Sequence, residues 1–341
     1  MRRFILLAVV LSAAIVTADT ARFSVVVLDD KKASPIPNAT VRANFSEDIG
    51  WRAWTESPKP YVVIEKTDKT GYCCIKGKTN CGRVACWIPQ PPEGYYSGGG
   101  WGYRFKKKNF LGVWQPDNLV VTIKLQRVEH PISLFIKNFF KDGNDYVNVD
   151  YFGKGSGKMQ FDLIKGDWLP PLGDGEFSDV VFSRLEREDL GIGTNFNGRT
   201  SLAYRDRMMV EFLGACNGMV EMPSKKTDGI KIRTAPLDGY KADYLVTKGK
   251  DKSVKYFTSS NPDRNFAFRI RTKKDKNGKI VSAFYGKIYG DVDFKKFTSN
   301  VPVAAPSFMY YLNPTPLDRN LEWDMKTNLC PNPGSLSYPM P

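Results

Sequence analysis

The sequence predicts an all-β protein of two β-sandwich domains, the first Ig-like, the second larger with a jelly-roll as its candidate arrangement. Three observations predict it. Short runs rich in Val, Ile, Phe and Tyr recur with period-two alternation. Gly, Pro, Asn and Asp punctuate those runs at turn-like spacing. Convincing amphipathic helices are scarce, residues 179–190 being the best rival to a strand. At 341 residues the chain is long for a single core and suits two domains.

The expected boundaries are a signal peptide over 1–18, a first sandwich over 19–128, a linker over 129–143, and a second sandwich over 144–341 ending in an irregular tail. Arg2 and Arg3 precede an apolar run, Phe4 to Val16, and Val16-Thr-Ala18 places small residues where a signal peptidase cuts. That run is short for a bilayer crossing, and charges or Gly/Pro interrupt every later apolar run, so no membrane span is expected. The expected location is secreted or periplasmic, after cleavage near Ala18. The formal charge is +14, two fewer once Arg2 and Arg3 are removed. The basic runs Lys106-Lys-Lys108, Lys225-Lys226 and Lys273-Lys274 are short and scattered, which favours a spread surface charge and no specific nucleic-acid partner.

In the first domain, residues 22–29 form a β-rich run. Residues 35–45 alternate, with Ala39, Val41, Ala43 and Phe45 on one face and Thr40, Arg42 and Asn44 on the other. Tyr61-Val-Val-Ile64 is a further strand, and Thr67-Asp-Lys-Thr-Gly71 a tight turn in which Gly supplies the positive φ. Residues 72–75, 83–88 and 119–125 complete an antiparallel set.

Taken together, Val25-Val-Val-Leu-Asp29, Pro35-Ile-Pro-Asn-Ala-Thr-Val41, the Thr67–Gly71 turn and a closing strand resemble the carboxypeptidase regulatory-like domain. The resemblance covers residues 22–128 and implies a non-catalytic seven-stranded transthyretin-like module of exported proteins. The chain departs from that family between Trp87 and Trp114, where it inserts Pro91-Pro92, a glycine-rich aromatic stretch and a lysine run. Tyr95, Tyr96, Trp101 and Tyr103 on this expected loop are candidate ligand contacts; they either stack on sugar rings or fold back over the sandwich edge.

In the second domain, strands are expected over 145–152, 158–164, 179–184, 207–212, 230–233, 266–272, 280–288 and 307–312. Residues 131–140 fit a strand or a short helical connector. Within Phe266-Ala-Phe-Arg-Ile-Arg271, the alternation sends Phe266, Phe268 and Ile270 inward and Arg269 and Arg271 outward. Gly166-Asp-Trp168, residues 266–272 and 283–289, and Tyr310 to Asp324 are similar to an uncharacterised module of exported bacterial proteins that follows carboxypeptidase regulatory-like domains.

The stretch Asp162 to Phe182 concentrates a Trp, two prolines, three glycines and five carboxylates. Asp167 and Trp168 are its candidate binding residues. Paired carboxylates suggest glycoside hydrolysis, but turn-forming Asp is the simpler reading. The single histidine, His130, sits beside a proline, no Cys-x-x-Cys or phosphate loop is present, and no catalytic residue, metal site or cofactor is assigned. The six cysteines, Cys73, Cys74, Cys81, Cys86, Cys216 and Cys330, form an even set that favours disulfides in an exported chain; connectivity stays open, with Cys216–Cys330 one option. The expected function is an exported, non-catalytic structural or adhesion-type protein acting through surface contacts. The alternative is carbohydrate binding through exposed aromatics, with a glycosidase-like enzyme behind both. Polysaccharide or another cell-envelope protein is the expected partner.

Overall fold

The computed structural model describes residues 19–48, 59–96, 98–138, 158–222, 232–297, 303–331 and 333. The signal peptide with its cleavage site, and the strand expected over 145–152, lie outside the described residues. Every regular element among the described residues is a strand. The chain divides into two compact units between Glu129 and His130.

The first unit is a sandwich of a three-stranded and a four-stranded sheet. The three-stranded sheet places β1 (Thr20–Asp29) between β4 (Tyr72–Lys78) and β9 (Leu119–Leu125). The four-stranded sheet runs β3 (Tyr61–Lys66), β2 (Thr40–Phe45), β5 (Arg83–Gln90), β6 (Gly98–Arg104). Alternation decides which side chains meet. Phe23, Val25, Val27, Val41, Ala43, Phe45, Ile75, Ile88 and Ile123 all face the shared core. Gly77 belongs to this packing, because a Cβ there would lie 2.3 Å from the Phe45 ring. Two expectations change. The sheet is not purely antiparallel, since β1 and β9 pair in parallel from Phe23↔Leu119 to Asp29↔Leu125. The glycine-rich stretch is no loop: it forms β6, whose backbone pairs with β5 (Cys86↔Trp101, Val84↔Tyr103) because glycines extend as readily as they turn.

The pairing of the two sequence motifs in this unit has a physical cause. The Thr67 hydroxyl, buried, accepts the Ala39 N–H at 2.9 Å and donates to the Ile36 carbonyl at 2.8 Å. Gly71 takes φ +71° and passes so close to Val27 that a Cβ would sit 2.6 Å from its carbonyl oxygen. The turn and the segment that leads into β2 therefore hold each other.

The second unit packs two six-stranded sheets face to face. One runs β12 (Asp167–Trp168), β11 (Lys158–Asp162), β13 (Val180–Thr194), β14 (Thr200–Phe212), β16 (Asp243–Lys250), β17 (Tyr256–Thr258). The other runs β15 (Gly218–Met222), β18 (Asn265–Lys274), β19 (Ile280–Phe297), β20 (Val303–Leu312), β10 (Ile132–Asn138), β21 (Trp323–Asn328). Phe161, Phe182, Val210 and Val246 of the first sheet meet Phe268, Ile288, Phe308 and Tyr310 of the second. The expected linker over 129–143 is corrected by β10, which lies inside the second sheet, antiparallel to β20 and parallel to β21. Leu134 and Ile136 bury against Tyr311 and Trp323, which recruits the segment into the sandwich. Residues 180–194 are strand, not helix.

Phe266, Phe268 and Ile270 point inward as expected. The two arginines do not simply face water. Arg269 is buried and donates to the carbonyls of Cys216 and Leu237. Arg271 reaches two buried carboxylates.

All six cysteines are free thiols, so the expected disulfides do not form in this structure. Adjacent residues of β4 point to opposite faces, which leaves Cys73 buried and Cys74 exposed. Cys216 and Cys330 have separate neighbours. Cys216 lies by Lys274, whose hydrogen bond lowers its pKa, and Cys330 is buried by Tyr310.

Candidate functional site

The stretch from Asp162 to Phe182 is a fastening. Asp162 is fully buried; its Oδ1 accepts the N–H groups of Ile164 and Lys165, and its Oδ2 those of Glu176 and Phe177, all within 3.1 Å. Arg271 donates to Asp162 Oδ1 at 2.7 Å and to both oxygens of Asp179 at 2.8 Å. Burial opposes ionisation of Asp162, but the N–H groups of Lys165 and Phe177, then the Arg271 charge, hold its pKa below the usual carboxylate value. Burial pushes Asp179 upward. Asp167 spends its oxygens on the N–H groups of Trp168 and Asp174. Gly173 fits only without a side chain, because a Cβ would be 2.4 Å from Asp167 Oδ1. Trp168, 6% exposed, packs edge-on against Phe161 and Phe182. Trp168 is therefore packed inside the fold, and half-buried Asp167 has both carboxylate oxygens engaged by the backbone of its own stretch.

The aromatic set of the first unit is also largely spent. Tyr96 is 2% exposed. Tyr95 donates its hydroxyl to Asp29 and receives Arg127, whose guanidinium lies 5.1 Å above its ring. Trp101 is partly buried, 5.3 Å from Phe23, and stacks on Tyr103 at 5.6 Å and 5°. Tyr103 is the most exposed of the four, and it leans on Phe105. None of these four residues lines the groove of the second unit described below. They fold back over the sandwich, because β6 pairing fixes Trp101 and Tyr103 above the core.

A different set does converge. A groove of about 710 Å³ opens on the second unit, within the size range of small-ligand sites. Strand pairing builds it. Tyr204 of β14 stands opposite Lys250 of β16, and Asp206 opposite Lys248. Lys250 stands opposite Tyr256 of β17. Period-two alternation thus places Tyr204, Asp206, Lys248, Lys250 and Tyr256 on one face. From β13, Arg187 grips Asp206 with two hydrogen bonds of 2.6 and 2.7 Å, while its Cζ lies 4.4 Å from the Tyr204 ring centre. The Asp206 hydrogen bond raises the Arg187 pKa, and burial raises that of Tyr204. Lys248 is held by Asp293 at 2.7 Å and by the Phe294 carbonyl at 2.8 Å.

Lys250 is placed differently. Its ammonium donates to the Ser201 hydroxyl at 2.9 Å and lies 4.8 Å from the Tyr256 ring, with no carboxylate partner among the described residues. Tyr256 is 76% exposed. The groove thus offers an open aromatic face beside a cation with spare capacity, and a braced guanidinium on the opposite wall. Among the described residues no group of three or more His, Cys, Asp or Glu converges as a metal-holding set. Sequence reasoning missed this site: its residues lie in four separate stretches, around 187, 201–206, 248–258 and 294, and Tyr204-x-Asp206 and Lys248-x-Lys250 were its only local traces.

No protein-family model and no curated protein sequence matches the chain. Solved bacterial pilins are similar to it at low identity. A streptococcal ancillary pilin is 9% identical over 84% of this chain, with TM-score 0.22, and the chain spans 58% of that protein's length. The shaft pilin SpaA of Lactobacillus rhamnosus GG is 12% identical over 85% of this chain and 93% of its own, with TM-score 0.22. The major pilin SpaD of Corynebacterium diphtheriae is 9% identical over 89% and 83%, with TM-score 0.25.

Proposed function

We propose that the chain is an exported, non-catalytic adhesion-type protein that works through surface contacts, and that its ligand is an acidic saccharide lying in the Tyr204–Tyr256 groove. The observation that carries this reading is the open ring of Tyr256 beside the Lys250 ammonium. A sugar ring presents C–H groups to an aromatic face, and a uronate or sulfate group presents oxygens to an ammonium or guanidinium. Arg187 is pre-set for the second task, because Asp206 and Tyr204 hold its plane before any ligand arrives. Export is supported by the Arg2-Arg3 start, the apolar run and the small residues before Asp19. Membership of the first unit in the carboxypeptidase regulatory-like family is part of the same reading; the Thr67 hydroxyl that joins the two motifs supports it.

A glycan array probed with the secreted chain tests the ligand class. The expected result is retention on uronate-bearing or sulfated glycans over their neutral counterparts, weakening as salt rises. Preference for neutral glycans, or no retention on any, contradicts the reading.

A further inference from the structure

Five turns among the described residues share one construction: an Asp or Asn whose side-chain oxygen accepts the N–H groups two and four residues further on. Asp68, Asn109, Asn195, Asp251 and Asp275 each do so. The fourth position carries the positive φ and is Gly71, Gly112, Gly198, Val254 and Gly278 in turn. The second position enters none of these bonds. Lysine stands there in three turns, as Lys69, Lys252 and Lys276, and phenylalanine in two, as Phe110 and Phe196. The turn therefore does not call for a ring. Phe110 is nonetheless 94% exposed, with Leu111 beside it 51% exposed.

We propose that the Phe110–Leu111 tip of the first unit docks into the headgroup layer of an anionic lipid surface. The tip closes a short hairpin of β7 (Lys107–Lys108) and β8 (Trp114–Gln115). Its base is rigid: Trp114 is buried and donates its indole N–H to the Thr79 carbonyl at 2.8 Å. Lys108 lies 4.5 Å from the Trp114 ring centre and pairs with Asp19. The apex backbone largely satisfies itself, since Leu111, Gly112 and Val113 all donate to Asn109, and Asn109 donates to Val113. That matters at a lipid boundary, where an unpaired N–H is costly. Below the apex, Lys106 and Lys107 are exposed and no ion pair engages either among the described residues.

An apolar wedge on a basic collar matches an anionic interface, where the ring enters the acyl boundary and the ammonium groups meet phosphate. A saccharide is a poorer match, because two side chains on a narrow turn offer neither a concave wall nor partners for hydroxyls. The Phe196 turn offers a single apolar side chain, because Asn197 stands where Leu111 stands in the other; Arg199 lies within it and Lys252 beside it, its carbonyl accepting the Thr194 N–H at 2.9 Å. No helix among the described residues is long and apolar enough to cross a membrane, and the proposal concerns surface docking only.

Co-sedimentation of the intact chain with phosphatidylcholine vesicles, with and without phosphatidylglycerol, tests it. The wild type is expected to pellet with the anionic vesicles and not with phosphatidylcholine alone. Phe110→Ser with Leu111→Ser, and separately Lys106→Glu with Lys107→Glu, should each weaken partitioning by roughly tenfold or more. Phe196→Ser should leave it unchanged. Thermal unfolding of each variant confirms that the fold is intact. Failure of the wild type to bind, equal binding to both vesicles, or unchanged binding of the Phe110→Ser/Leu111→Ser variant overturns the proposal.

Discussion

Arg271 shows how one residue can turn a chemically suggestive cluster into scaffold. Its backbone takes φ +52°, and its guanidinium is shared between Asp162 and Asp179 under the Phe177 ring. Removing it leaves two buried carboxylates uncompensated, so Arg271→Met should cost about 3–5 kcal/mol, read as a lowered urea midpoint. Adding Asp179→Asn should recover part of that loss. A cost under about 1 kcal/mol would mean that the pair behaves as an exposed one. Acid should act on the same bonds. The depressed pKa of Asp162 contributes stability above its ordinary value of 3.8, and this is lost as pH falls below that value through the folded-state pKa. Five carboxylates in one stretch were legible in the sequence; the arginine that engages two of them, about a hundred positions away, was not. The partners of Asp167 and Trp168 lie close in sequence, but the contacts among them appear only once the stretch folds on itself.

Strands were legible where alternation met a core. Residues 40–45 and 266–270 gave the right inward faces because apolar residues recur at every second position in each, although the other face of 266–270 is buried as well. β10 was half legible, as a strand or a short helical connector, and β6 was not legible as a strand. In β10, Ile132, Leu134 and Ile136 share one face, but Phe135 stands between Ser133 and Lys137 on the other and blurs the period. In β6, glycines mask the pattern and pairing with β5 decides. Close approach within these elements gives a further prediction. Gly286 of β19 packs under Phe268, and a Cβ would lie 2.1 Å from that ring and 2.5 Å from the Tyr311 carbonyl oxygen. Gly286→Ala should therefore destabilise the second unit by about 1–3 kcal/mol in chemical unfolding; a neutral effect would mean that the ring swings aside freely. In the first unit, burial pushes the Cys73 and Cys86 thiols from 9.0 up to about 12. A raised folded-state pKa contributes stability that is complete below 9 and lost as pH climbs toward 12. Unfolding free energies of the wild type should fall more steeply over that window than those of a Cys73→Val/Cys86→Val variant. Parallel curves would show that the thiols ionise equally in both states.

At the scale of the whole chain, two all-β units carry two different surfaces: a groove of aromatic and cationic side chains on the second, and a basic hairpin with an apolar tip on the first. All-β architecture and a two-part division were readable from length, alternation and turn chemistry. The groove was not, because strand register assembles it from Arg187, Tyr204 and Asp206, Lys248 and Lys250, and Tyr256. The central claim is that binding belongs to this groove and not to the aromatic stretch around Trp101. The most direct test is calorimetric titration of an acidic oligosaccharide selected on the array into the wild type, Tyr256→Ala and Trp101→Ala chains. Tyr256→Ala should weaken binding by roughly tenfold or more, while Trp101→Ala keeps wild-type affinity. Unchanged affinity in Tyr256→Ala with loss in Trp101→Ala would contradict the account.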